Sequence, residues 1–165
     1  MSFTSLGLLK EITDVIDELG YAIPPPIQQA AIPAVLAQKD VMAGAQTGTG
    51  KTAAFALPLL HKILQAKSTN DAPRIQVLVL TPTRELAQQV HASFVKYSTN
   101  LPIKSVVVYG GASINVQLDA LRNGCDVLVA TPGRLLELVM KKLIDLSAVQ
   151  TLVLDEADRM LDMGF

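Results

Sequence analysis

Four short apolar segments rich in β-branched residues recur along the sequence, and segments with helical periodicity separate them. The apolar segments are residues 75–80, 104–109, 126–130 and 151–154. The intervening helical patterns lie at about 84–98, 114–123 and 134–142. Strands that are apolar along their whole length are typical of a parallel sheet buried on both faces. The alternation therefore predicts an α/β fold of three layers, a parallel sheet with helices on both faces.

The N-terminal part of the sequence predicts two more helices. Residues 6–19 carry apolar side chains at a helical period, and Gly20 ends this pattern. Three consecutive prolines follow, and Pro26 is suited to the first position of a helix that continues to about residue 37. Pro25 precedes it and has no side-chain oxygen with which to cap the helix.

A glycine-rich stretch, AQTGTGKT at residues 45–52, follows the short apolar run 40–44 and precedes a helical pattern that extends to about residue 66. Strand, glycine-rich turn, Gly-Lys-Thr and helix together are typical of a phosphate-binding P-loop. Glycines let successive backbone N–H groups turn toward phosphate oxygens. Lys51 can bridge the β- and γ-phosphates, and the Thr52 hydroxyl can ligate Mg²⁺.

Small, polar or charged residues follow each of the four later strands. These segments are TPTREL at 81–86, GG at 110–111, TPGRL at 131–135 and DEAD at 155–158. Because the carboxyl ends of parallel strands meet at one edge of a sheet, where ligands bind, we expect these segments to form one site.

Residues 78–86 and 128–136 repeat one pattern: a strand, Thr-Pro, a variable residue, Arg and a helix. The pattern predicts that Thr caps each helix and that Pro is its first residue. An arginine in the first turn opposes the helix dipole unless an anion occupies that end. The repetition favours a pair of phosphate-binding sites. The alternative is two ordinary capped helices whose arginines form local ion pairs.

Two adjacent carboxylates, Asp155 and Glu156, follow the last predicted strand. One carboxylate can hold Mg²⁺ through water, and the other can orient or deprotonate an attacking water. The alternative is a solvated acidic turn. His61 and His91 lie on predicted helices without a set of metal ligands, so we interpret them as surface or helix residues.

The composition excludes several classes of protein. Hydrophobic residues make up 50% of the 165 residues and charged residues 18%, which favours a compact fold over disorder. The formal net charge of −1 means that any nucleic-acid site must be local. No apolar run reaches membrane-spanning length. The single cysteine, Cys125, is expected to be buried and indicates a reducing compartment, so we predict a cytoplasmic protein without membrane contact.

From Phe3 to Phe165 the chain resembles the N-terminal RecA-like domain of a DEAD-box ATP-dependent RNA helicase, and is most similar to the bacterial RhlE type. The resemblance rests on AQTGTGKT, PTREL, GG, TPGR and DEAD, in that order. It implies an N-terminal extension with an adenine-recognition motif at 1–39 and an incomplete RecA-like ATP-binding domain at 40–165. It also implies that the C-terminal helicase domain is missing and the RecA-like fold truncated at its C-terminus. We therefore expect negligible ATP hydrolysis by these residues alone and self-association through an uncovered sheet edge.

The resemblance also implies cofactors, a partner and residue roles. ATP and Mg²⁺ are the cofactors and RNA is the partner, bound through its backbone. The implied nucleotide-binding residues are Phe3, Tyr21, Gln28, Gln46, Thr47, Gly48, Thr49, Gly50, Lys51 and Thr52. The implied catalytic residues are Lys51, Asp155, Glu156 and Asp158. Thr52 and Asp155 are implied to bind Mg²⁺, partly through water. The implied RNA contacts are Pro82, Thr83, Arg84, Gly110, Gly111, Thr131, Pro132, Gly133 and Arg134.

Two other functions are compatible with parts of the pattern. One is a DNA helicase or another P-loop ATPase, against which the adenine-recognition segment and the Asp-Glu-Ala-Asp spelling count. The other is an RNA- or partner-binding module with a vestigial nucleotide site, against which the intact Lys51, Thr52, Asp155 and Glu156 count.

Overall fold

The computed structural model describes residues 2–41, 50–67 and 72–164. The chain divides into two compact units: residues 1–68 with 93–102, and residues 69–92 with 103–165. The predicted strand at 40–44 is not formed at Asp40 and Val41, and its remaining residues lie outside the described ranges.

The first unit is helical. After a short 3₁₀ turn at Thr4–Leu6, it contains α1 (Lys10–Glu18), α2 (Pro26–Leu36) and α3 (Lys51–Ala66). Helix α1 buries Ile12, Val15 and Ile16, and α2 packs along α3. As predicted, α2 begins at Pro26, and Pro25 makes no side-chain capping hydrogen bond with the residues described.

The second unit alternates strands and helices, which confirms the pattern predicted from the apolar segments. Its elements are β1 (Val77–Leu80), α4 (Arg84–Tyr97), β2 (Ser105–Val108), α5 (Ile114–Arg122), β3 (Val127–Ala130), α6 (Pro132–Met140), β4 (Thr151–Leu154) and α7 (Ala157–Asp162). The last residues of α4, from residue 93 onward, belong to the first unit.

The four described strands form one parallel sheet in the order β2-β3-β1-β4. Leu80 lies beside both Ala130 and Leu154, and Ala130 lies beside Val108, so all four strands end at the same level. The ladder continues one residue further, because Thr81 N donates to Ala130 O at 3.0 Å and Asp155 N donates to Leu80 O at 2.9 Å.

The sheet supplies most of the core of the second unit. On one face Leu78, Val106 and Leu128 belong to a buried cluster with Leu118 of α5 and Leu138 of α6. The alternate residues Val79, Val127 and Val129 are also fully buried, so β1 and β3 are covered on both faces, as predicted. Strand β4 differs, since Leu152 and Leu154 are more than half exposed in the described structure.

Candidate functional site

A groove lies at the carboxyl ends of β1, β2 and β3. It encloses about 490 Å³. Its lining residues are Pro82, Arg84, Gly110, Gly111, Thr131, Pro132, Gly133, Arg134 and Glu137. The level strand ends bring three segments together that are far apart in sequence. Of the nine residues predicted to contact an extended anion, only Thr83 does not line this groove.

Thr83 instead caps α4. Its hydroxyl accepts a hydrogen bond from Leu86 N at 3.2 Å, and its carbonyl accepts one from the Thr81 hydroxyl at 3.3 Å. The prediction that Thr81 would cap this helix is therefore wrong. A second threonine two residues later occupies the position from which a hydroxyl reaches a first-turn N–H.

The second repeat follows the prediction more closely. Thr131 precedes α6, and Pro132 is its first residue. Among the described residues, however, the Thr131 hydroxyl makes no capping hydrogen bond. The first turn of α6 is therefore set by Pro132 more than by a side-chain cap.

The two arginines of the groove differ in their surroundings. The Arg84 side chain is 51% exposed and lies 3.8 Å from the Glu85 carboxylate. The Arg134 side chain is only 9% exposed. Its Nη1 donates to Gln117 Oε1 at 2.8 Å, and its Nη2 donates to Ala112 O at 3.1 Å. Its Nε lies 3.7 Å from Glu137 Oε2 and has no hydrogen-bond partner among the described residues.

Gly110 and Gly111 form the turn between β2 and α5. Gly111 has φ of +81°, a conformation that disfavours any residue with a Cβ. A Cβ at Gly111 would lie 3.6 Å from Arg84 Nη1, which is an ordinary contact. Glycine is therefore required here by the backbone conformation and not by crowding.

The carboxylates predicted for catalysis follow β4. Asp155 is buried and continues the sheet ladder, and Asp158 lies in the first turn of α7. Glu156 precedes α7 with φ of 58° and ψ of 45°, the left-handed conformation. A residue other than glycine is uncommon there, and holding it in that region costs about 1 kcal/mol. The turn thus fixes the direction in which the Glu156 backbone leaves the strand.

The predicted nucleotide residues that the structure describes lie in the first unit. Gly50 precedes α3 with φ of 83°, and Lys51 and Thr52 are the first two residues of that helix. Gln28 Nε2 donates to Gly50 O at 3.1 Å. A Cβ at Gly50 would lie 2.5 Å from that nitrogen, so a larger residue would displace the Gln28 amide, and the positive φ also favours glycine. Gln46, Thr47, Gly48 and Thr49 lie outside the described residues.

The side-chain oxygen of Gln28 is available to a ligand. Its side chain is buried, and Oε1 has no hydrogen-bond partner within the described part of the chain. A buried amide oxygen without a partner is unfavourable by about 1–3 kcal/mol, which a ligand donor would relieve.

The two predicted aromatic neighbours of the nucleotide differ in exposure. Phe3 is buried, whereas Tyr21 is 37% exposed. The Tyr21 hydroxyl accepts a hydrogen bond from Lys96 Nζ, and its ring lies edge-on to Tyr97 with 6.4 Å between the centroids. Burial raises the pKa of Tyr97 to about 12.

Of the two alternatives in the sequence interpretation, the structure supports a helix residue for His61 and not a surface residue. It is buried on α3, and its Nδ1 accepts a hydrogen bond from Leu9 N at 3.0 Å. Burial lowers the pKa of His61 below its ordinary value, which a hydrogen bond with Gln65 opposes in part. His91 Nε2 lies 3.1 Å from Ser105 O. Both histidines thus have structural roles.

Cys125 is buried, as predicted, and its thiol donates to Val127 O at 3.1 Å. Burial raises the pKa of this thiol to about 12. Within residues 2–41, 50–67 and 72–164, histidine, cysteine and carboxylate side chains form no group of three or more that could hold a metal ion. In the same ranges no helix is long and apolar enough to cross a membrane.

Comparison with known proteins shows the family to which the chain belongs. The sequence model of the DEAD/DEAH box helicase family matches residues 25–165. The chain is 47% identical over 163 residues to the Drosophila melanogaster "ATP-dependent RNA helicase vasa", covering 99% of this chain and 25% of vasa. It is 49% identical over 166 residues to the Buchnera aphidicola "ATP-dependent RNA helicase DeaD", covering all of this chain and 27% of the relative.

A third relative is the Helicobacter pylori "DEAD-box ATP-dependent RNA helicase RhpA", 45% identical over 164 residues. The match covers 99% of this chain and 32% of RhpA. The chain therefore spans between about a quarter and a third of the length of these relatives.

Proposed function

Because the chain belongs to the DEAD/DEAH box helicase family, we propose that it is the ATP-binding half of an ATP-dependent RNA helicase. The whole helicase would couple ATP binding and hydrolysis to local unwinding of RNA duplexes. The groove carries the proposal, since eight of the nine residues expected to contact RNA line it together. The relatives named as ATP-dependent RNA helicases point in the same direction.

The chemistry of the groove suits a phosphate backbone. Arg84 and Arg134 supply positive charge, and the segments around Gly110, Gly111 and Gly133 expose backbone without side chains. Contacts of this kind position a nucleic-acid strand but carry no sequence information. The protein is therefore proposed to bind single-stranded RNA irrespective of its sequence.

The described residues fit an adenine nucleotide. Gln28 has a buried oxygen without a partner among the described residues, which adenine would satisfy, and Phe3 and Tyr21 would provide the aromatic surroundings. Lys51 would contact the phosphates, and Gln46, Thr47, Gly48, Thr49 and Gly50 would cradle them. When bound, Mg²⁺–ATP supplies the phosphoanhydride bond that is hydrolysed. Thr52 and Asp155 would hold Mg²⁺, Glu156 would orient water, and Asp158 would link the site to the rest of the protein.

Two finer assignments belong to the same proposal. We place the protein in the bacterial RhlE-type subgroup, on the resemblance of its motifs, and in the cytoplasm. The support for the second is chemical: the only cysteine is a buried, protonated thiol, which suits a reducing compartment.

The main test compares nucleic acids. We expect the full-length protein to bind single-stranded RNA with an affinity that falls steeply with salt, and RNA to stimulate ATP hydrolysis by the full-length protein more than DNA of the same sequence does. Equal stimulation by RNA and DNA would favour the DNA-helicase alternative. RNA binding without any nucleotide binding would favour the vestigial-site alternative.

A second test concerns the nucleotide. Lys51→Ala should lower the affinity for ATP at least tenfold, because the P-loop lysine supplies the main side-chain charge to the phosphates. Lys62→Ala, which removes the same charge farther along α3, is the control and should leave the affinity unchanged. Calorimetric titration measures both. Unchanged ATP affinity in Lys51→Ala would exclude the proposed phosphate site.

A further inference from the structure

Gln117 is a buried polar residue on α5 that uses both ends of its amide. It is 6% exposed. Its Nε2 donates to Tyr109 O at 3.0 Å, and its Oε1 accepts from Tyr109 N at 3.3 Å. The same Oε1 also accepts from Arg134 Nη1 at 2.8 Å. A buried amide that makes three hydrogen bonds is held in one orientation.

These bonds bracket the two-glycine turn. Gln117 binds both backbone groups of Tyr109, the residue before Gly110. Arg134 Nη2 binds the carbonyl of Ala112, the residue after Gly111. The bond between Gln117 and Arg134 joins the two sides, so the turn and the guanidinium are fixed to each other.

The bracket counteracts the flexibility of the turn. Glycines lose more conformational freedom on ordering than other residues, so a Gly-Gly turn that had to order on binding would weaken the complex. A turn that is ordered beforehand avoids this loss. We propose that Gln117 is a positioning residue: it holds the Gly110–Gly111 turn and Arg134 in the conformation that binds the RNA backbone, without touching RNA itself. This inference rests on the proposed function.

The test is a double-mutant cycle. Gln117→Met keeps the length of the side chain and removes its hydrogen bonds. We expect RNA affinity to fall about tenfold, with an unchanged dependence on salt because the Arg134 charge remains. In an Arg134→Ala background the same change should lower RNA affinity by clearly less than tenfold, because only the bonds to Tyr109 are then left to lose. A structural role unrelated to Arg134 would instead give additive losses.

The matched control is Gln88→Met. Gln88 Nε2 donates to the Tyr109 hydroxyl at 3.0 Å, so it contacts the same residue but neither its backbone nor Arg134. RNA affinity should stay within about twofold of the wild type in this control, since an exposed side-chain bond contributes little. Equal losses in Gln88→Met and Gln117→Met would overturn the proposal.

Amide hydrogen exchange and thermal unfolding complete the experiment. Without RNA, the Tyr109 amide should exchange faster in Gln117→Met than in the wild type, by more than any fall in melting temperature accounts for. If Gln117→Met melts early, Gln117→Glu replaces it, because the carboxylate still accepts from Arg134 but cannot donate to Tyr109 O. Its loss of RNA affinity should persist in the Arg134→Ala background, because the bond that it lacks is the one to Tyr109 O. An unchanged affinity in Gln117→Glu would contradict the positioning role.

The outcomes separate the two hypotheses. Wild-type protein that fails to bind RNA would contradict the proposed function. Wild-type protein that binds RNA, together with additive losses or unchanged Tyr109 exchange in Gln117→Met, would contradict the positioning role alone.

Discussion

The two Thr-Pro-x-Arg segments, at residues 81–84 and 131–134, share a sequence pattern but hold their arginines in different ways. Arg84 is about half exposed at the groove and lies near the Glu85 carboxylate. Arg134 is largely buried and bonded to two other segments of the same unit. One arginine must be ordered when a ligand arrives, whereas the other is already in place. The repeat therefore combines an adaptable contact with a preset one.

The largest expected difference between the segments is in stability. Arg134→Ala should lower the free energy of unfolding by about 2 kcal/mol, because it removes a buried donor from Gln117 and Ala112. Arg84→Ala should change it by less than about 0.5 kcal/mol, as is usual for exposed positions. Urea unfolding of both variants measures the difference. Equal losses would show that the burial of Arg134 has no energetic consequence.

The two arginines should contribute equally to the salt dependence of RNA binding. Each arginine that contacts a phosphate adds about one to the slope of log affinity against log salt. Arg84→Ala and Arg134→Ala should each lower that slope by about 0.7–0.9, for every single-stranded RNA sequence tried. Fluorescence anisotropy over a series of salt concentrations measures it. A loss confined to one RNA sequence would indicate base recognition and contradict backbone binding.

Removing the threonine before each helix should destabilise the first segment more than the second, which is the reverse of the order expected for the arginines. Thr83→Ala should lower the unfolding free energy by about 1 kcal/mol, because the Thr83 hydroxyl accepts from Leu86 N. Thr131→Ala should lower it by only a few tenths, since no capping bond of Thr131 is present among the described residues. Each threonine replaced by serine serves as the matched control, because serine keeps the hydroxyl. If the two alanine variants lose the same stability, the two helix starts do not differ as described.

The smallest expected effect is that of pH, which should leave the difference in stability between the two arginine variants unchanged. Arginine does not titrate, so the stability difference between Arg84→Ala and Arg134→Ala should be the same from about pH 8 to about pH 5.5. The wild type should nevertheless lose stability as the pH falls through the ordinary histidine pKa of 6.5, because the folded His61 pKa lies below that value and the unfolded chain binds the proton first.

His61→Asn isolates this loss. Asparagine retains an acceptor near the position of His61 Nδ1 for Leu9 N but does not titrate. Its stability should therefore depend less on pH than that of the wild type over the same range. Identical pH profiles for wild type and His61→Asn would show that His61 does not carry the effect.

The sequence predicted the fold well because local patterns determine most of it. The four apolar segments became four parallel strands, and Pro26 began α2. The cap of α4 was misplaced because Thr81 and Thr83 are both plausible, and only the tertiary course of the chain selects between them. The burial of His61 was missed for a similar reason, since its partner Leu9 is 52 positions away.

The groove was predictable as a set of strand-end segments, but its supporting residues were not. Glu137 carries a weak signal, because it lies one helical turn after Arg134. Gln117 carries another: it lies three residues after Ile114 and four before Leu121, on the apolar side of α5. Neither spacing indicates that Gln117 meets Arg134, because that contact depends on the order of β2 and β3 in the sheet. The left-handed Glu156 has no sequence signature at all.

The level strand ends have a consequence for how such a sheet can change. Each described strand has four residues. Because every strand residue adds about 3.3 Å along the strand, the number of residues in a strand determines the height at which the following loop begins. One residue inserted into β3 would lift Thr131–Arg134 away from Gly110 and also turn the alternate side chains to the wrong face. The loops can therefore accept insertions, whereas the strands beneath them can change only in residue type.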